Sequence, residues 1–336
     1  MSYKVLIKPS GHSFDVEVDE VILDAALRQG LSIPYGCRNG ICGACKGKVV
    51  TGEVAYDYGR PGALSATEEA IGQVVCCQAT ALSDLVLEIH EVTSSQEVPI
   101  RKMPARVVKM ERLCDDVMRL FLKLPDSERL QFLAGQYIDV VLADGRRRSF
   151  SIANPPHDDQ FIELHIRRIE DGEFTSHVFN GMKEKDILRI EGPFGSFYLR
   201  EESPRPIICV AGGTGFAPLK GMIEHAIRSE LKQPIRFYWG ARAQQDLYLN
   251  ALPMAWATDD NFSYIPVLSS PKAEDQWTGC CGHVHQAVLE DFSDLSDYDV
   301  YCSGPPLMVE AMRQGAVQQG LPEEQFYFDS FEFSTQ

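Results

Sequence analysis

Apolar and polar residues alternate along residues 3–8 and 13–18, and Pro9, Ser10 and Gly11 stand between them, the pattern of a β-hairpin. The period turns helical over 21–29, with Asp19 as the expected cap and Gly30 as the stop. Residues 46–54, 74–78 and 85–90 predict further strands, and Ser65 with Glu68 forms the signature of a capping box opening a second short helix. These elements make a small mixed α+β domain over residues 1–93. Residues 94–103 are polar, unpatterned and Pro-containing, which predicts a linker.

Across 104–202 the texture becomes short strands at close intervals, at 105–109, 118–124, 137–142, 149–153, 161–168 and 187–191, with one helical turn at 174–180. That rhythm predicts an antiparallel β-barrel, closed or nearly so. Beyond residue 203, strands at 207–211, 235–240, 262–268, 298–302 and 325–328 alternate with helices at 218–231, 244–252, 285–292 and 306–319. Such alternation predicts a doubly wound α/β domain over 203–336, whose ligands bind beyond the carboxyl ends of parallel strands.

Charge narrows the function classes. The chain carries a net charge of −16 over 336 residues. The first 95 residues hold 7 Lys/Arg against 12 Asp/Glu, residues 96–203 hold 17 against 19, and the remainder 8 against 17. An acidic surface argues against nucleic acid, whose affinity rests on neutralising phosphates. The middle segment concentrates the basic residues and is the expected seat of an anionic cofactor group. No apolar run is long enough to span a bilayer, and residues 1–10 lack the features of a secretory leader. Ten cysteines in such a chain suggest metal ligands or thiols in the cytoplasm rather than a disulfide framework.

Cys37, Cys42 and Cys45 stand in the spacing C-x4-C-x2-C, punctuated by Gly36, Gly40 and Gly43. With a distant fourth cysteine this is the plant-type arrangement for a [2Fe–2S] cluster. The alternative, a zinc site, usually takes two C-x2-C pairs, which are missing here. Cys76 and Cys77 both lie at the right distance for the fourth ligand, and spacing does not choose between them. If both lie on a strand, only one faces the metal.

Five further constellations point to flavin and nucleotide. Arg148, Phe150 and Ser151 close a barrel strand and offer a phosphate cation, a flat ring and a hydrogen-bond donor near flavin N5. His165, Ile166 and Arg167 lie on the next strand, and Gly172, Thr175 and Ser176 open a helical turn whose N–H groups and hydroxyls suit an anion. Gly192 to Phe197 form a rigid turn whose aromatics suit an adenine. Gly213, Thr214 and Gly215 follow a strand, and Pro218 is expected at the first helical position. Ser303, Gly304, Pro305 and Met308 form a second strand-to-helix turn, so the two turns are expected to wall one crevice. The run Cys280-Cys281-Gly282-His283-Val284-His285 has no usual zinc spacing and is expected to be a loop and helix start.

Taken together these motifs resemble the NADH-dependent FAD/[2Fe–2S] reductase components, such as those of phenol hydroxylase and soluble methane monooxygenase, and the CDP-6-deoxy-3,4-glucoseen reductases. The resemblance covers nearly the whole chain. It implies an N-terminal β-grasp ferredoxin, a flavin barrel and a nucleotide domain. It also implies Cys77 as the fourth ligand, since residues 78–83 supply the interval that ferredoxins place before the Asp opening their last strand, here Asp84. The implied cofactors are FAD, a [2Fe–2S] cluster and NADH, with NADPH the alternative if Arg242 meets a 2′-phosphate. The implied catalytic groups are Ser151, Ser303 and, near the flavin, Asp329 and Phe331. Phe150 stands where the family commonly has Tyr, and Ser303 where it often has Cys. The implied partner is a terminal oxygenase or, by the same relay, a sugar dehydrase; a slow redox sensor is the third reading. The protein alone is expected to be a monomer that binds neither nucleic acid nor membrane.

Overall fold

The structure is a computed structural model that describes residues 2–31, 33–89 and 98–331. The chain divides into two compact units. One carries the described residues up to Pro99 with Gly195–Phe197, and the other carries Ile100–Phe194 with Tyr198–Phe331.

The first unit begins with the expected hairpin, β1 (Ser2–Lys8) and β2 (Ser13–Glu17). Helix α1 (Ile22–Arg28) buries Ile22, Leu23, Ala25 and Ala26, each large aliphatic side chain contributing about 1.5–3 kcal/mol. Asp19 does not cap this helix. The N-cap is Val21, without a side-chain bond. The first helical N–H groups are satisfied instead by Ala79 O, which accepts from Ile22 at 2.9 Å, and Cys76 O, which accepts from Leu23 at 3.0 Å. Next come β3 (Lys46–Thr51), β4 (Val54–Ala55), α2 (Ala66–Ala70), β5 (Gln73–Val75), β6 (Thr80–Ala81) and β7 (Leu85–Glu88). The Ser65–Glu68 capping box is formed as expected. The main sheet runs β2-β1-β7-β3-β5, with β1 and β7 parallel, and α1 packs against it. This is a β-grasp arrangement. The segment 94–97 of the expected linker lies outside the described residues, and the next strand already begins at Arg101.

The second unit opens with β8 (Arg101–Arg112), β9 (Val117–Lys123), β10 (Tyr137–Val141), β11 (Arg147–Ser151) and β12 (Ile162–Arg167). Helix α3 (Glu173–Asn180) and β13 (Ile187–Phe194) follow. The antiparallel sheet runs β11-β10-β13-β8-β9-β12. Its two ends meet where Ile152 bridges to Leu164 and Ala153 N–H donates to Glu163 O at 2.8 Å. The sheet is therefore curled into a barrel around Val107, Leu120, Leu122, Ile138, Leu164 and Ile166.

The remaining elements are β14 (Ile207–Gly212), α4 (Phe216–Arg228), β15 (Ile235–Ala241), α5 (Ala251–Trp256), β16 (Phe262–Leu268), β17 (Cys280–Cys281), α6 (Val284–Asp291), β18 (Asp299–Gly304), α7 (Pro306–Gln318) and β19 (Phe326–Ser330). They form a parallel sheet in the order β17-β16-β15-β14-β18-β19. Two expectations shift here. The single helix over 244–252 is replaced by a 3₁₀ turn at Gln244–Asp246 and the later α5, whose first turn holds Pro253 at a position where its missing N–H leaves no intrahelical bond unmade. Pro218 occupies the third and not the first position of α4, where a missing N–H still leaves no intrahelical partner unmet.

Candidate functional site

The cysteine loop is built by backbone turns. Gly40 and Gly43 take φ of +78° and +74°, conformations that cost an L side chain energy. The turns aim N–H groups at sulfur: Cys42 N–H meets Cys37 Sγ at 3.4 Å, Ala44 N–H meets Cys42 Sγ at 3.5 Å, and Cys77 N–H meets Cys45 Sγ at 3.4 Å. The thiols of Cys37 and Cys42 hydrogen-bond each other, as do those of Cys45 and Cys77. Cys37 is held down to about 6 by the Cys42 thiol, against burial and with help from backbone N–H groups. Cys42 and Cys77 are pushed up, first because each donates to its thiol neighbour and then by burial.

Among the described residues no three His, Cys, Asp or Glu side chains gather as they would around one ion. Two thiol pairs with amide donors at their sulfurs instead suit a centre with two metals, so the residues fit a [2Fe–2S] cluster. Cys76 and Cys77 do not lie on a strand. The strand ends at Val75, and Gln78 and Ala79 N–H groups both turn back to Val75 O, at 3.1 and 3.2 Å. The turn, not the pleat, separates them: Cys77 meets Cys45, whereas Cys76 is fully buried and pushed up to about 12 by desolvation, the state of an inert thiol.

In the barrel, the three consecutive arginines behave differently. Arg146 pairs with Asp144 at 2.6 Å and also with Glu173, and Arg147 pairs with Glu191 at 2.6 Å. Arg148 has no carboxylate partner among the described residues and donates only to Arg147 O, at 2.8 Å. Its charge is available to an anion. Phe150 shares the strand face of Arg148, packs against the barrel core and sits 5.5 Å from the Phe174 ring. Ser151 lies on the opposite face, where its hydroxyl donates to Asp329 Oδ2 at 3.0 Å.

The His165-Ile166-Arg167 tripeptide does not act as a block. Ile166 is a core residue of the barrel. The buried His165 turns its Nε2 to Glu163 at 2.8 Å and its Nδ1 to the Tyr248 hydroxyl at 3.0 Å. Arg167 pairs with Asp116 at 3.1 Å and reaches the nucleotide turn, where a Cβ on Gly213 would stand 2.5 Å from its Nη1. Gly172 is the N-cap of α3, and Ser176 N–H donates to it at 2.8 Å. The Thr175 hydroxyl is occupied by its own loop: it accepts from Ile169 N–H at 3.1 Å. Phe194 is buried against Tyr137, 5.7 Å between rings, so that aromatic does not stand open for an adenine.

The two strand-to-helix turns do converge. β14 and β18 are parallel neighbours with Ala211 opposite Ser303, and β18 pairs β19 with Ser303 opposite Asp329. Gly213, Thr214 and Gly215 form one 3₁₀ turn, pinned by Trp239 Nε1 donating to Gly213 O at 3.0 Å. A Cβ on Gly215 would run into the Ser303 carbonyl, and one on Gly212 would strike Met308 Sδ and Pro305 Cδ at 2.6 and 2.7 Å. Gly304 accepts from Phe331 N–H at 2.9 Å, which brings Phe331 beside the second turn. Cys302 belongs to the helix-facing core, so the pleat turns Ser303 to the other face. Its hydroxyl is completely buried and has no hydrogen-bond partner among the described residues. A buried orphan hydroxyl is costly unless a ligand completes it, so this face fits a nicotinamide and a flavin.

Arg242 pairs with Asp116 and with Asp246, both at 3.2 Å, so its charge is engaged. Sequence reasoning missed Asp116, Glu163, Lys220 and Asp246; none belongs to a local motif. In the Cys280–His285 run the helix start is as expected, with His283 the N-cap of α6, but Cys280 and Cys281 form the edge strand β17 where a loop was expected.

Comparison with known proteins agrees with this geometry. Residues 5–82 match the family model of the 2Fe-2S iron-sulfur cluster binding domain, 104–198 that of the oxidoreductase FAD-binding domain, and 209–314 that of the oxidoreductase NAD-binding domain. The chain is 39% identical to the CDP-6-deoxy-L-threo-D-glycero-4-hexulose-3-dehydrase reductase of Yersinia pestis, over 98% of this chain and 99% of that protein. It is 34% identical to the phenol 2-monooxygenase reductase component DmpP of a Pseudomonas species, over 98% and 95%. Among solved structures, the Amycolatopsis reductase GcoB superposes with a TM-score of 0.81 at 31% identity, covering 98% of both chains. The chain belongs to the family of NAD(P)H-dependent reductases that carry FAD and a [2Fe–2S] cluster and serve a separate electron acceptor.

Proposed function

We propose that this protein takes electrons from NADH at the glycine turns and delivers them singly, through Cys37, Cys42, Cys45 and Cys77, to a terminal oxygenase. Flavin, when bound, accepts a two-electron hydride and releases electrons one at a time. The chain's own residues hold the participants. Arg148 neutralises the flavin pyrophosphate, and Gly213, Thr214, Gly215 and Pro218 at the start of α4 bind the dinucleotide. Ser303 donates to the nicotinamide side, and Ser151 with Asp329 holds a proton beside the flavin edge. Phe331 covers that edge. Gly304, Pro305 and Met308 form the second wall. The observation that carries this reading is the buried, partnerless Ser303 hydroxyl one strand from the Ser151–Asp329 pair.

NADH is the preferred nucleotide because Arg242, the base available to a 2′-phosphate, already faces two carboxylates. A second acceptor class, a sugar dehydrase, is favoured by the 39% identity to the Yersinia pestis dehydrase reductase, against 34% for the phenol reductase component. Both readings place the protein in the cytoplasm, working as a monomer between encounters. Among the described residues no helix is long and apolar enough to cross a membrane. The test is NADH oxidation by the purified protein, coupled in turn to a purified oxygenase and to a purified sugar dehydrase. Turnover of neither, with cytochrome c reduced normally, would reject both acceptor classes.

A further inference from the structure

A buried ion cluster joins the barrel to the nucleotide-binding part of the second unit, and the proposed chemistry makes no use of it. Its centre is Lys220 on α4, 3% exposed. The ammonium has three N–H donors, and the structure gives it three acceptors: Ala153 O at 3.2 Å, Glu163 Oε2 at 3.2 Å and Glu224 Oε2 at 2.9 Å. Glu163 in turn accepts from Arg119 Nε at 2.8 Å and from His165 Nε2 at 2.8 Å. Because the carboxylate only accepts, Nε2 carries the imidazole proton, and Nδ1 accepts from Tyr248 at 3.0 Å. Burial opposes the charge on Glu163, but the His165 hydrogen bond, the Lys220 charge and the Arg119 hydrogen bond outweigh it and keep the carboxylate ionised. Burial also keeps His165 neutral.

The positions of these partners matter. Ala153 lies two residues beyond Ser151, Glu163 and Arg167 share β12, and Lys220 lies one turn into the helix that starts at the Gly213–Gly215 turn. The helix also comes unusually close to the barrel: a Cβ on Gly221 would stand 3.0 Å from Asn154 O and 3.3 Å from Ile152 O. A buried ion pair adds little net stability over an apolar pair of the same volume, and its best-attested use is to fix register.

We propose that Lys220 and Glu163 are positioning residues that set the distance between the nucleotide turn and the flavin strand for hydride transfer. The inference rests on the function proposed above. Removing Lys220 alone strands the buried Glu163 carboxylate, so the informative variant is the double K220M/E163Q, which removes that pair of charges at similar volume and leaves Glu224 partly open to solvent and Arg119 with Glu111. Three measurements on the full chain separate the outcomes. In stopped flow, the double variant with full FAD content reduces its flavin about tenfold more slowly at saturating NADH, with little change in NADH Kd. Deuterated NADH gives the variant a larger isotope effect, since approach geometry has become limiting. Before NADH is added, amide exchange at residues 213–216 accelerates while that of β1 to β7 does not.

Unchanged rate and unchanged exchange in the double variant overturn the proposal, as does a lowered Tm with wild-type hydride transfer. If the wild-type protein itself fails to pass hydride from NADH to flavin, the function proposed above is what fails.

Discussion

The cysteine loop draws three of its four proposed ligands from residues 36–45, whereas the proposed flavin and nucleotide face draws Arg148, Ser151, Gly213, Ser303 and Asp329 from separate strands and turns. In the first region, geometry follows from local backbone: two left-handed glycines and a ring of N–H groups place the thiols. In the second, geometry follows from sheet register and from buried ions such as Lys220. A local site should fail in an all-or-none way when one ligand is lost. A site assembled from distant strands should instead lose function by degrees.

The sharpest way to break this contrast is at the adjacent cysteines. Cys77→Ser should abolish the iron–sulfur absorption and electron paramagnetic signals and slow cytochrome c reduction by roughly 100-fold. NADH–ferricyanide activity, which needs only the flavin, should persist. Cys76→Ser should keep the cluster, because it is Cys77 and not Cys76 that meets Cys45, while Cys76 is fully buried. Loss of the cluster in Cys76→Ser, with Cys77→Ser intact, would reverse the assignment.

On the other side, Arg148→Ala should weaken FAD binding roughly tenfold to a hundredfold, as expected for charge-assisted hydrogen bonds worth about 1.5–3 kcal/mol. Flavin fluorescence titration measures it, and the same change at Arg146, already paired with two carboxylates, should do much less. Asp329→Asn should slow flavin reduction about tenfold while leaving NADH KM nearly unchanged, because it alters the Ser151 hydroxyl's partner and not the nucleotide turn. A KM effect without a rate effect would move Asp329 out of the hydride face.

The smallest effect belongs to the capping box beside the cysteine loop. Glu68 is held down at about 2 by the Lys46 ammonium, then by the Ser65 N–H and hydroxyl. A folded value below the unfolded one means the stabilisation is complete above the ordinary carboxylate value of 4.5 and is lost as pH falls through about 2. The pair is solvent-exposed enough that screening keeps it below about 1 kcal/mol. Glu68→Gln should therefore lower stability slightly at neutral pH, and the difference from wild type should vanish near pH 2 in urea unfolding.

This contrast also explains what could be read in the sequence. The C-x4-C-x2-C spacing, the glycine turns and the Ser65–Glu68 box are local, and their geometry follows from neighbours along the chain. Elements with strong alternation fell where expected, including both hairpin strands of the first unit. What could not be read was nonlocal. Asp19 has the chemistry of a cap, but the Ala79 and Cys76 carbonyls, far along the chain, take that place. The partners of the His165 ring, Glu163 and Tyr248, were equally beyond reach of the sequence, the second being far along the chain. Lys220 belongs to no local motif, and only the barrel packed against α4 makes it a buried ion.

The central claim is that electrons enter at the hydride face and leave through the cysteine loop. The most direct measurement is anaerobic stopped-flow mixing with NADH, following the flavin and cluster absorbance together. The account predicts that flavin bleaching precedes cluster bleaching, and that in Cys77→Ser the flavin bleaches at the wild-type rate while cytochrome c stays oxidised. Cluster bleaching ahead of the flavin, or wild-type cytochrome c reduction by Cys77→Ser, would contradict it.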